Sequence, residues 1–101
     1  MNLDEIIIRI SQLRTRENLS ARELSLRIGK NEAYINRLEC RKNFEPSISV
    51  INDIAIACHS SLQEFFYYDI HEYETDKKII NSLKRIDPEV KKALLKIIEN
   101  L

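Results

Sequence analysis

The chain reads as an all-α protein, and three observations predict it. Apolar residues recur at the three- and four-residue spacing of a helix face. The stretches that carry them open on serine, asparagine or aspartate, the residues that cap helices. The 101 residues contain one glycine and two prolines. With 44% hydrophobic residues, the chain has enough apolar material to fold rather than stay disordered.

The first helix is expected over residues 3–17, with Ile6, Ile10 and Leu13 inward. Ser20 is a good N-cap and Glu23 lies three residues on, so the two form a capping box for a second helix over 21–28. Leu24 and Ile28 share its buried face. Gly29, the sole glycine, follows directly, where a helix end commonly needs left-handed backbone. Asn31 can cap a third helix over 32–40, with Glu32 favourable in its first turn and Ile35 and Leu38 inward. A loop over 41–45 ends at Pro46. Ser47 then caps a fourth helix reaching about Cys58, with Ile48, Ile51, Ile54 and Ala55 inward. Ser61 starts a short fifth helix ending in Phe65-Phe66-Tyr67-Tyr68.

Residues 69–101 follow as a C-terminal helical pair. Residues 69–76 are polar and acidic, a connector, and Thr75 or Asp76 can cap a helix carrying Ile79, Ile80, Leu83 and Ile86. Asp87-Pro88 is a break and restart, with Asp at N-cap and Pro at the first helical position. The last helix carries Val90, Leu94, Leu95, Ile97, Ile98 and Leu101. Two short amphipathic helices cannot build a core of their own, so they must pack on residues 1–68 or on a partner chain.

Residues 19–39 thus form two short helices about a tight turn, the geometry of a helix-turn-helix, a unit that places its second helix in the DNA major groove. Spacing alone fits a ligand-free helical hairpin equally well. Resemblance adds to it. Residues 6–66 resemble the Cro and phage-repressor type of helix-turn-helix domain, the xenobiotic-response-element family of bacterial regulators. The matching residues are Ile10, Leu13 and Arg14, then Leu19-Ser20, Leu24, Ile28-Gly29, Tyr34-Ile35, Arg37-Leu38-Glu39 and Pro46, followed by Ile51, Ile54-Ala55, Leu62 and Phe65-Phe66. The resemblance implies a compact five-helix domain over residues 1–68 that binds operator DNA, usually as a homodimer. It also implies that Arg14 and Glu39 pair with each other. The chain departs from the family at Ala21, where a phosphate-holding Gln is common, at Cys40-Arg41, where Asn-Gly is common, and at His59, where a glycine often ends the fourth helix.

The residues left pointing outward on the third helix are Glu32, Ala33, Asn36 and Arg37, the candidate base contacts. Arg37 can bond the O6 and N7 of a guanine, Asn36 can read adenine, Ala33 can touch a thymine methyl, and Glu32 can accept from cytosine N4. Glu32 serves equally well as a favourable charge at the start of the helix. Candidate phosphate contacts are Ser20, Lys30 and Asn31 around the turn, and Arg41, Lys42 and Asn43 after the third helix. Ser20 is explained as well by capping, and Tyr34 reads as a half-buried packing residue.

Sixteen basic residues balance sixteen acidic ones, unlike the basic excess of most DNA-binding domains. The distribution is uneven. Residues 14–42 carry eight Arg and Lys against four Glu, while 43–76 hold no Lys or Arg. Modest non-specific affinity with a shallow salt dependence is the expectation. The expected partners are double-stranded DNA and a second copy of the chain, joined through residues 75–101, since two half-sites strengthen binding. The alternative for the tail is a cover over Phe65-Phe66. The competing function is a protein-interaction module of the same fold, such as an antitoxin or a regulator adaptor, with a protein partner and weak DNA binding. A repressor that occludes a promoter leads.

No catalytic, metal-binding or cofactor-binding residues are expected: there is no Gly-rich phosphate loop, no Cys or His at ligand spacing, and no Ser, His and Asp set in a plausible site. Cys58 reads as a small core residue; Cys40, partly exposed and oxidisable, fits a redox sensor less well than a reduced bystander. No apolar run approaches the roughly 20 residues of a membrane span, and Asp4 and Glu5 precede only a short Ile6-Ile7-Ile8 run, so no signal peptide is read and the cytoplasm is expected.

Overall fold

The computed structural model of the chain describes residues 1–40 and 45–101. Among them all regular structure is helical and divides into two units, Met1–Tyr68 and Asp69–Leu101. The first unit holds α1 (Leu3–Arg16), α2 (Ala21–Arg27), α3 (Tyr34–Glu39), α4 (Ile48–Ala57) and α5 (Leu62–Phe65). The second holds a 3-10 turn (Ile70–Glu72), α6 (Tyr73–Leu83) and α7 (Pro88–Glu99).

The starts of the helices follow local side-chain chemistry. Asn2 accepts the Glu5 N–H at 2.9 Å and opens α1. At α2 the capping box is complete: Ser20 Oγ accepts the Glu23 N–H at 3.0 Å while the Glu23 carboxylate accepts the Ser20 N–H at 3.4 Å. Ser47 and Ser61 accept the N–H groups of Val50 and Glu64, and Asp87 accepts that of Glu89 with Pro88 at the first helical position. Each bond satisfies a donor that the helix itself leaves without a partner.

Three helix ends repeat one closure. Asn18, Gly29 and His59 have φ of 55°, 75° and 55°. At each, the left-handed residue donates its N–H to a carbonyl three residues back, and the next residue donates to a carbonyl five back. The pairs are Asn18 to Thr15 with Leu19 to Arg14, Gly29 to Leu26 with Lys30 to Ser25, and His59 to Ile56 with Ser60 to Ala55. This is the Schellman closure, which satisfies the last carbonyls and reverses the chain. Its left-handed residue strains a side chain least when it is Gly or Asn.

The core of the first unit is built from Ile10, Leu13, Leu24, Ile35, Leu38, Ile54 and Phe65, all essentially without solvent contact. α2 packs on α3 and α4, α1 on α3, and α4 on α5. Several expectations need correction. In α1 the buried residue is Ile7, and Ile6 is only half-buried. Ile48 lies in line with the buried Ile51, Ile54 and Ala55 but is 61% exposed, because that stripe runs past the packed part of α4. α5 stops at Phe65 instead of reaching Tyr68. α6 begins at Tyr73, ahead of Thr75, because Asp69 caps the preceding 3-10 turn by accepting the His71 N–H at 3.0 Å and that turn feeds straight into the helix. Ile86 falls beyond its end. The loop expected over 41–45 lies, up to residue 44, outside the described residues.

Three arginines of α1 tie the unit together. Arg9 is buried and donates to the carbonyls of Glu64 at 3.2 Å, Phe65 at 2.6 Å and Tyr68 at 3.4 Å, so a cation meets the carbonyl end of α5 where the helix stops. Arg14 makes a two-pronged pair with Glu39, Nε to Oε1 at 2.9 Å and Nη2 to Oε2 at 3.0 Å, and adds the Leu19 carbonyl at 3.1 Å. Arg16 grips both oxygens of Glu64 at 3.1 Å and the Cys58 carbonyl at 3.3 Å. Burial alone would push the Glu64 carboxyl up. The hydrogen bonds from Arg16 and Ser60, with the charges of Arg16 and Arg9, outweigh it and hold the group below its ordinary 4.5.

Two predictions follow from these pairs. The Arg14–Glu39 pair is only about a fifth exposed (21% and 18%), so Arg14→Ala strands a half-buried carboxylate. The variant should lose roughly 1–3 kcal/mol in chemical denaturation, while Arg37→Ala stays near wild type; equal midpoints for Arg14→Ala and wild type would count against the pairing. Because folding lowers the Glu64 value, its contribution is present above the unfolded value near 4.5 and is lost as pH falls through the folded value. Glu64→Gln should therefore be less stable than wild type at neutral pH, with the gap closing in acid as the pH falls below the ordinary 4.5 and through the lowered folded value.

Candidate nucleic-acid interface

The surface singled out by the sequence is carried by α2, the turn 28–33 and α3. The turn is set by Gly29 at one end and by Asn31 at the other. Asn31 Oδ1 accepts the Ala33 N–H and its carbonyl accepts the Tyr34 N–H, both at 2.9 Å, so Asn31 caps a tight turn ahead of the helix. α3 consequently begins at Tyr34, two residues later than expected, with Ala33 at its N-cap position and Glu32 in the turn. Its first backbone helix bond is from Arg37 to Ala33 at 2.9 Å.

Ser25 joins the two helices. It is fully buried on α2, donates from Oγ to the Ala21 carbonyl at 2.7 Å and accepts the Ile35 N–H of α3 at 2.9 Å. One hydroxyl thereby satisfies a donor of the first turn of α3 and fixes that helix against α2. The Arg14–Glu39 pair holds the other end of α3 to α1. Ile35 and Leu38 are buried, so at 100° per residue Ala33, Asn36 and Arg37 fall on the opposite side of the helix. Asn36 and Arg37 are exposed and Ala33 is half-buried.

The remaining candidates take the following places. Glu32 is exposed and holds Arg22 of α2, its Oε2 accepting from Nε at 3.0 Å. Ser20 is engaged in the capping box. Lys30 lies with Nζ 5.5 Å from the centroid of the Tyr34 ring, and Tyr34 is half-buried with its phenol pushed above its ordinary value by that burial. Asn31 spends its carbonyl oxygen in the turn. Arg41, Lys42 and Asn43 lie outside the described residues. Cys40 is exposed at the end of α3, its Sγ 3.8 Å from Asn36 Oδ1, whereas Cys58 is buried and its thiol is pushed up to about 11 by loss of solvent.

Charge pairing decides what this surface can do. Arg14, Arg16 and Arg22 are each matched to a glutamate. Among the described residues of the stretch, Arg27, Lys30 and Arg37 keep a positive charge without a carboxylate partner, and Arg37 stands on the outward side of α3. The roles of Ser25, Arg9 and the Arg22–Glu32 pair were not anticipated. The signal for the first two was present: a serine and an arginine interrupt apolar stripes, Ser25 beside Leu24 and Arg9 beside Ile10.

No protein-family model, curated protein or solved structure matches the chain. No helix among the described residues is long and apolar enough to cross a membrane.

The Ser25 bond generates a prediction. Ser25→Ala leaves the buried Ile35 N–H without its acceptor and should cost roughly 1–3 kcal/mol. Hydrogen exchange should locate the loss at the start of α3; unchanged protection of Ile35 would show that the hydroxyl does not hold this helix.

Proposed function

We propose that the chain is a sequence-specific DNA-binding transcriptional regulator of the Cro and phage-repressor type, a repressor acting in the cytoplasm that occludes a promoter by binding a palindromic operator as a dimer. In this reading α2 and α3 are the helix-turn-helix and α3 enters the major groove. One observation carries it: a six-residue helix, pinned at its start by Ser25 and at its end by Arg14, turns Ala33, Asn36 and Arg37 away from its buried side. A helix that short does not hold itself, so an external framework that fixes it while leaving polar side chains outward suits a reading helix.

Arg37 takes a guanine through its two terminal nitrogens, and Asn36 takes an adenine. Lys30 and Arg27, with Ser20, Asn31, Arg41, Lys42 and Asn43, track phosphates, which position the protein without reading sequence. Glu32 meets the DNA as half of its pair with Arg22, which offsets the repulsion a lone carboxylate would meet there. Neutrality of the whole chain, and the matching of three arginines to glutamates, favour a second reading in which the same fold binds a protein partner and DNA only weakly.

Selection from a random duplex library at near-physiological salt separates the two. A palindromic motif with half-sites about one helical turn apart is expected, lost with Arg37→Ala. Glu32→Ala should strengthen binding to every sequence alike, since it removes a carboxylate and leaves Arg22 as a free cation; altered preference at a single position would instead make Glu32 a base reader. No enrichment from folded, helical protein would overturn the DNA reading in favour of a protein partner.

A further inference from the structure

We propose that the groove between the end of α2 and one face of α4 binds a small zwitterion, a free α-amino acid with an apolar side chain. The site lies within the first unit and involves no residue of α3.

Two helices wall the groove. α2 and the turn after it bring Arg27, Ile28 and Gly29, and α4 brings Asp53, Ile56 and Ala57, which lie three and four residues apart on one face of the helix. That face flanks the buried line of Ile51, Ile54 and Ala55, so the same packing that joins α2 to α4 sets the spacing of the two walls. The space between them is open to solvent and holds about 670 Å³, inside the roughly 300–1,000 Å³ range of small-ligand sites. It is clear around Gly29, where a Cβ would meet nothing within 4 Å.

Part of the lining is apolar. Ile56 is 62% exposed, and Ile28 and Ala57 are half-buried. Covering them releases the water they order, which favours a ligand with an apolar body.

Charge defines the rest of the ligand. Arg27 and Asp53 are exposed, opposite in sign and line the same groove, yet neither is paired with the other or with another charged group among the described residues. His59, which also lines the groove, has its Nδ1 3.4 Å from Glu17. α4 ends at Ala57, and the carbonyl end of a helix carries partial negative charge. A purely anionic ligand meets repulsion from Asp53 and that helix end, and a purely cationic one meets repulsion from Arg27. A ligand with both charges satisfies both walls. Its ammonium lies by Asp53 and Ala57, its carboxylate takes the Arg27 guanidinium through two parallel hydrogen bonds, and its side chain covers Ile28 and Ile56. Both ion pairs stay exposed and contribute little each, so the dissociation constant falls on the order of 1 mM.

Amide NMR titration of the full chain with free L-leucine tests this. Saturable shifts are expected at Ile28, Gly29 and Ala57. N-acetylleucine, which keeps only the carboxylate, and leucinamide, which keeps only the ammonium, should each bind several-fold more weakly than leucine. Arg27→Gln should raise the leucine dissociation constant several-fold without weakening leucinamide, and Asp53→Asn should raise it without weakening N-acetylleucine. Both positions are exposed, so the variants should melt as wild type does. No saturable shift with leucine up to about 10 mM, shifts confined to other residues, or variants that bind leucine as wild type does would each overturn the proposal. So would N-acetylleucine or leucinamide binding as tightly as leucine, which would mark a site for a single charge. No DNA enters the titration, so its failure leaves the operator reading standing, and a failed duplex selection leaves this site standing.

Discussion

The first unit depends on how its helices are ended. α2, α3 and α5 have seven, six and four residues, lengths at which a helix in water does not persist by itself. What keeps them is satisfaction of their ends together with burial of one face. Asn18, Gly29 and His59 close α1, α2 and α4 through left-handed turns, Ser25 supplies an acceptor to the start of α3, and Arg9 supplies donors to the end of α5. Around these bonds Ile10, Leu13, Leu24, Ile35 and Leu38 meet without solvent. Remove the closures and the same apolar residues sit on helices too short to align them.

Much of this was legible in the sequence, and what was legible is local. Ser20 with Glu23, Ser47, Ser61 and Asp87 with Pro88 each act within three residues of themselves, and helix starts were read from them. Gly29 announced a left-handed end because glycine adopts it without strain; Asn18 does the same job with less advertisement. What escaped is long-range. Arg9 reaches carbonyls 55 to 59 residues away, Ser25 an amide ten residues away, and Arg22 a carboxylate ten residues away. No periodicity encodes such partners. The start of α3 was misplaced for a related reason: an Asn that satisfies a turn and an Asn that satisfies a helix look alike until the backbone is seen.

Charge is distributed by use. Arg14, Arg16 and Arg22 are matched to Glu39, Glu64 and Glu32, and so add little to the outward field. Among the described residues of 14–42, the cations outside such pairs are Arg27, Lys30 and Arg37, at the end of α2, in the turn and on α3. On the operator reading, affinity then rests on few phosphate contacts, and doubling them by joining two chains has correspondingly greater weight.

The two thiols differ in a way that experiment can exploit. Cys58 is sealed in the core with its proton held to about 11, whereas Cys40 stands exposed at the tip of α3. Alkylating reagents act on accessible thiolate, so in folded protein they should mark one position alone. The molecule thus comes with a built-in attachment point beside Asn36 and Arg37, ready for a fluorophore or a cleavage reagent without a cysteine having to be introduced or removed.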